Sequence, residues 1–252
     1  MAKSFLVIVI ISLVSCKNNA QESKPRRATI PVENIKATKD QSERRKQSED
    51  YCRLHHIPIY SNPNSLFVDP EAEVTTRTKD EVADRALAIL YIGLKSEGLE
   101  KASLDEIDKK YGIMSRLSPE EKQYALAANP TEQQKVNANW RYEGLHVMLW
   151  ALSLIDSLSY PDTVCDVAAD VKIIHDMTEA QFRQKAKLRT KKEILDQADQ
   201  ILRIDWACVD ARANGRPYPA QLNNDVVQER HHSLNWLIKY MGQDWDNVGT
   251  DT

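Results

Sequence analysis

The chain has 252 residues, 42% hydrophobic and 28% charged, and its 34 Lys and Arg against 37 Asp and Glu give a formal net charge of −3. That composition is ordinary for a globular protein long enough to bury one sizeable core, and its slightly acidic balance excludes a basic face broad enough to make nucleic acid the expected partner. With only seven glycines and no GxGxxG or GxxxxGKS/T loop, the standard phosphate cradles are absent. HExxH, GxSxG and CxxC are absent too, so no metal site or cofactor is expected from motifs.

Residues 1–16 are predicted to direct export. Lys3 gives a basic start, Phe5 to Ile11 form an unbroken apolar run, and Leu13-Val14-Ser15-Cys16 closes it. The run is shorter than the roughly 20 residues a bilayer span needs and suits a signal-peptide core of about 7–15. The order resembles a bacterial lipoprotein signal. Residues 1–15 would be removed, Cys16 lipidated, and the domain held to a membrane of the cell envelope, on the periplasmic or surface side. Residues 16–40 are polar and mixed in charge, with Pro25 and Pro31. They read as a flexible linker reaching roughly 25–30 Å on average. Cys52, Cys165 and Cys208 would then sit in an oxidising compartment, where one disulfide and one free thiol are compatible with the count. Cys208 falls on an apolar helix face and reads as a small buried hydrophobe.

The folded domain is expected over residues 41–252, and its fold class is all-α. Ser42 to His55 reads as a charged helix. Residues 56–76 contain Pro58, Pro63 and Pro70 and read as an irregular wrapping segment, with short extended pieces at Ile57–Tyr60 and Leu66–Val68 that could form strands. Helix-start signals then follow in series. Capping boxes are read at Thr78–Glu81, Ser103–Glu106, Ser118–Glu121 (with Pro119 at the first helical position) and Thr131–Gln134. Gly98 is placed to stop the first of these helices.

A helix over about 132–159 is apolar nearly all round and is therefore predicted to be buried. Glu143, His146 and Trp150 nevertheless share one side of it. Either that side meets solvent, or it is a buried polar stripe paired to another helix, since buried charges persist only when paired. Over 187–212, Leu188, Leu195, Leu202 and Val209 repeat every seven residues and form a packing face. Arg189, Asp196, Arg203 and Asp210 repeat with the same period and alternating sign, and Asp199 sits four residues before Arg203. Surface ion pairs account for such a row at Arg189 and Asp196; Trp206 near Arg203 and Asp210 suggests partial burial there. Asn224 or Asp225 is placed to cap the last helix, which carries Glu229-Arg230-His231-His232 and Asn235-Trp236.

An ordered set of short segments resembles a widespread bacterial family, domain of unknown function 4272. They are Ile57-Pro58, Arg77, Glu81-Val82-Ala83, Arg85-Ala86-Leu87, Trp140-Arg141-Tyr142-Glu143, Leu149-Trp150-Ala151-Leu152, Leu188-Arg189, Glu193-Ile194-Leu195-Asp196, Arg203, Trp206-Ala207, Asp210-Ala211-Arg212, Glu229-Arg230-His231, Leu234-Asn235-Trp236-Leu237, Trp245-Asp246 and Asp251-Thr252. The resemblance runs from about residue 44 to the end of the sequence. It implies a whole-domain match and transfers no activity. It also implies relatives without an export signal, so the lipoprotein-like start is a departure from the family pattern.

Two antiparallel helices joined by the Asn214-Gly215-Arg216-Pro217 turn would bring Arg203, Asp210 and Arg212 near Glu229, Arg230, His231 and Asn235. Three readings of that cluster stand side by side. It could lock helices together as a polar network. It could face a cleft and hold a carboxylate, phosphate or peptide terminus through its guanidinium forks. Or His231 could act as a general base oriented by Asp210 or Glu229, or could ligate a metal with His232 and a carboxylate; adjacent helix residues point about 100° apart, which disfavours both histidines binding one ion. The reading adopted is a membrane-tethered, non-catalytic interaction or structural module with a protein partner. A hydrolase or an anion- or peptide-binding protein using that cluster is the alternative.

Overall fold

The computed structural model describes residues 34–252, and the signal segment, Cys16 and most of the expected linker lie outside the described residues. The described residues hold nine α-helices and no strand: α1 (Lys39–Leu54), α2 (Lys79–Ser96), α3 (Lys101–Tyr111), α4 (Pro119–Leu126), α5 (Glu132–Ala151), α6 (Val167–His175), α7 (Glu179–Lys185), α8 (Lys191–Ala213) and α9 (Asn224–Leu237). The fold is all-α. The two extended pieces expected at 57–60 and 66–68 form no strands.

Most helix starts are written in capping chemistry. At Thr78, Ser118 and Thr131 the cap side chain accepts from the N3 amide while the N3 Glu or Gln returns to the cap N–H, which satisfies two otherwise orphaned donors. The same box occurs at Thr38, Thr178 and Thr190, where the sequence reading had not singled it out. Thr38–Gln41 starts α1 at Lys39, so the linker ends before residue 40. Ser103 caps nothing: α3 begins earlier, at Lys101, with Glu100 at its cap and no side-chain cap bond. Asn223, rather than Asn224 or Asp225, caps α9, its side chain accepting from the amides of Asp225 and Val226. The helix expected over 132–159 ends at Ala151. Leu152 is its C-cap and Ser153 is left-handed at φ 55°, so residues 152–159 leave the helix although several are apolar.

The core is centred on α2 and α5, with α9, α8 and then α1 packed in succession beside them. Ala83, Leu87 and Ile89 on α2 and Leu145, Met148, Leu149 and Leu152 at the end of α5 are fully buried. Two glycines set how closely these helices approach. A Cβ at Gly93 would lie 2.4–2.9 Å from ring atoms of Tyr142, and one at Gly144 would lie 2.8 Å from Ser233 Oγ on α9. Cys52, Cys165 and Cys208 are all buried and all free, so the disulfide allowed by the cysteine count does not form among them.

The irregular segment between α1 and α2 is ordered by side chains rather than by strands. Arg45 donates to the carbonyls of Asn62, Pro63 and Ser65 at 3.0, 3.2 and 2.6 Å. Gln41 donates to Val68 O at 2.9 Å, and Arg44 reaches Asp69 O. Arg203, from α8, donates to Leu66 O. Carbonyls that a sheet would have paired are therefore satisfied by donors from two helices.

Candidate functional site

The predicted cluster does not assemble. Helices α8 and α9 do pack together, but among the described residues no hydrogen bond or ion pair joins Arg203, Asp210 or Arg212 to Glu229, Arg230 or His231. Arg203 is committed to Asp199 at 2.9 Å, both side chains almost wholly buried. Asp210 pairs with Arg216 and with Asn214 in the turn after α8. Arg212 is exposed. Glu229 meets Arg141 of α5 at 3.1 Å, and burial raises its carboxyl above the ordinary range against the pull of that guanidinium. Asn235 donates to Gly249 O at 2.9 Å and so fastens the C-terminal segment. The antiparallel arrangement does not gather them because α8 runs for 23 residues: charges seven apart on it stand about 10 Å apart along the axis, too far to converge on one turn of α9.

The histidines also separate. His231 Nδ1 lies 2.7 Å from Asp205 Oδ2, both fully buried. Since a carboxylate only accepts, Nδ1 carries the proton. His232 turns away and its Nε2 lies 3.0 Å from Trp245 O, which places its proton on Nε2. Burial, with the positive charge of Arg141 beside it, lowers the His232 pKa to about 3. The two rings thus serve different partners, as the roughly 100° between adjacent helix positions implies.

The polar stripe on α5 is the buried, paired kind. Glu143 and Arg230 are each 2% exposed, with Arg230 Nε 2.9 Å from Glu143 Oε2. The rest of the Arg230 fork donates to Ser159, to its carbonyl at 2.5 Å and its hydroxyl at 3.3 Å. The other Glu143 oxygen accepts from the backbone N–H of Cys165 at 2.6 Å. One turn further along α5, His146 Nδ1 lies 2.8 Å from Asp170 Oδ2 on α6. Trp150 closes the row beneath the Arg189 guanidinium, 4.9 Å from the ring centroid. This chain ties α9 to α5, and α5 to the loop that leads into α6.

Cys165 stands between the two carboxylates. Its thiol contacts Tyr142 O at 3.6 Å, and burial, reinforced by Glu143 and Asp170, pushes its pKa far up. One donor atom each from His146, Cys165 and Asp170 lies within 4.8 Å of the other two. No motif spacing announces this group, because its members come from two helices and a loop and are 19 and 5 residues apart along the chain. Two surface depressions among the described residues lie elsewhere. One is lined by Gln47, Trp150, Asp196 and Gln200, the other by His55, His56, Tyr160 and Asp162.

A family model described as "Domain of unknown function (DUF4272)" matches residues 44–248. The chain belongs to this family. The match spans α2 through α9 and most of α1, so it includes the buried Glu143–Arg230 pair and the group around Cys165. No curated protein and no solved structure matches the chain.

Proposed function

We propose that this family member is a lipid-anchored, non-catalytic interaction or structural module of the bacterial cell envelope, acting through a protein partner. The observation that carries the non-catalytic reading is the dispersal of the polar residues. Arg203, Arg230 and His231 each meet a carboxylate inside the fold, at Asp199, Glu143 and Asp205, instead of lining one cleft. Buried charges matched one to one act chiefly in fixing a particular helix packing. The hydrolase or anion-binding alternative required Arg203, Asp210, Arg212, Glu229, Arg230 and His231 to converge, and they do not.

The anchoring reading rests on the order of residues 1–16. No described helix is long and apolar enough to cross a membrane, so attachment through a lipid on Cys16 is the form that anchoring takes in this proposal. The test is Cys16→Ser in a bacterial host, followed by membrane fractionation and mass spectrometry of the N-terminal peptide. Wild type is expected in the membrane fraction with a diacylglyceryl modification on Cys16, and the variant in the soluble or unprocessed fraction. Wild type with an unmodified Cys16, or a variant that fractionates as wild type does, refutes the anchor.

A further inference from the structure

We propose that His146, Cys165 and Asp170 form a binding site for a divalent transition-metal ion of the zinc type. Three observations converge on it. The donor set is chemically right: one imidazole, one thiol and one carboxylate are all ordinary zinc ligands. Their placement is close: one donor from each lies within 4.8 Å of the other two. Around a tetrahedral ion with bonds of about 2.0–2.3 Å, ligand atoms stand roughly 3.3–3.7 Å apart, so the donors close on an ion by drawing in about 1 Å at most.

Charge supplies the third argument. Two carboxylates are buried beside Cys165. Glu143 is matched by the Arg230 guanidinium. Asp170, 4% exposed, has His146 as its only ion-pair partner among the described residues and no Lys or Arg. A divalent ion bound by the Asp170 carboxylate and the Cys165 thiolate is neutralised, with the imidazole as a neutral ligand. One proton, from the thiol, passes to solvent as the sulfur–metal bond forms; a metal ion removes a coordinated thiol proton even where burial otherwise holds it.

The surroundings hold the ligands in place. Glu143 accepts the Cys165 backbone N–H at 2.6 Å and is itself gripped by Arg230, which makes Arg230 and Glu143 positioning residues for the sulfur. Asp166 caps α6 through the Ala169 amide at 3.0 Å and so fixes the helix that carries Asp170. Cys165 has no disulfide partner to compete for its sulfur. Three protein donors leave a fourth position for water, and His146, 13% exposed, is the most exposed of the three.

The experiment is titration of the chelator-treated full-length protein with Co2+, read by the near-ultraviolet thiolate-to-cobalt charge-transfer band and the visible d–d bands, followed by competition with Zn2+. The expected result is one equivalent bound with a charge-transfer band that Zn2+ abolishes. Cys165→Ser should remove that band, while Cys52→Ser and Cys208→Ser keep it. His146→Gln, at the most exposed of the three ligands, retains an N–H donor for Asp170 and should weaken Co2+ binding at least about tenfold, the scale on which even supporting residues of metal sites act. A wild-type protein without a charge-transfer band overturns the site. So does a band that survives Cys165→Ser, or binding unchanged by His146→Gln. Rapid alkylation of native Cys165 that Zn2+ does not slow would also overturn it, and would favour a nucleophilic thiol instead.

Discussion

Arg230→Ala is the sharpest probe of the buried network. The substitution leaves Glu143, 2% exposed, without its guanidinium, with the Cys165 amide as its remaining hydrogen-bond donor. It also strips Ser159 O of a donor at 2.5 Å. Removing one side of a buried ion pair typically costs about 3–5 kcal/mol, because the remaining charge is left uncompensated in a medium that solvates it poorly. For a chain of this size each kcal/mol lowers the melting temperature by about 2–4 °C, so the expected drop is about 6–20 °C by circular dichroism or calorimetry. Arg216→Ala is the matched control. Arg216 is 54% exposed and its pair with Asp210 lies in the turn after α8; such pairs contribute about 0–1 kcal/mol, so its melting temperature should shift by no more than about 4 °C. If Arg230→Ala melts at or above wild type, Arg230 does not act as a strut, and the structural reading of the network falls with it.

Three further outcomes follow from the packing and the buried titratable groups. Gly93→Ala forces a methyl into the Tyr142 ring, at 2.4–2.9 Å from its atoms, and should destabilise by about 1–3 kcal/mol even though Ala favours a helix; a variant as stable as wild type would show that the two helices part freely. His232, with its pKa lowered to about 3, binds a proton more readily unfolded than folded. Its contribution to stability is therefore complete above about pH 6.5 and declines as pH falls from there to about 3, by at most about 1.4 kcal/mol per pH unit. In NMR its ring signals should not titrate above pH 4, and a midpoint near 6.5 contradicts the burial argument. Cys52 and Cys208, with thiols pushed up to about 12 by burial, should resist alkylation in the native protein and react once it is unfolded; fast native labelling of either would place it outside the core.

What could be seen in the sequence was local chemistry. Thr78, Ser118 and Thr131 announce their helices because a capping box is complete within four residues. Ser103 offered the same pattern and failed, because α3 had already begun at Lys101 and its interior Ser is indifferent to where the helix starts. The turn at Leu152–Ser153 was hidden, since the apolar residues that follow pack against the core from an irregular segment as well as they would from a helix. Glu143 was recognised as anomalous on a buried helix, and Arg230 as charged and central. The partner of Glu143 stays open in the sequence because the pair joins α5 to α9 across 87 residues. The group at His146, Cys165 and Asp170 left no trace for the same reason: its geometry is made by packing. The antiparallel pairing that placed Arg203 and Asp210 with Glu229 took α9 as the one partner of α8, whereas α8 packs against α1 as well as α9.

The arginine-held segment between α1 and α2 has a consequence for how the domain opens. Its carbonyls are bonded by Arg44, Arg45 and Gln41 on α1 and by Arg203 on α8, so almost none of its order is its own. When α1 lifts from α8, the donors to residues 62, 63, 65, 68 and 69 leave together, while Arg203 and Lys191 of α8 still hold the carbonyls of Leu66, Glu71 and Val74. Helix α1 and residues 62–65, whose carbonyls only α1 holds, are thus expected to open as one foldon at the edge of the domain. Their amides should share one opening free energy in hydrogen exchange, lower than that of α2 and α5, and a protease that finds the released wrap would remove α1 while the inner helices stay closed.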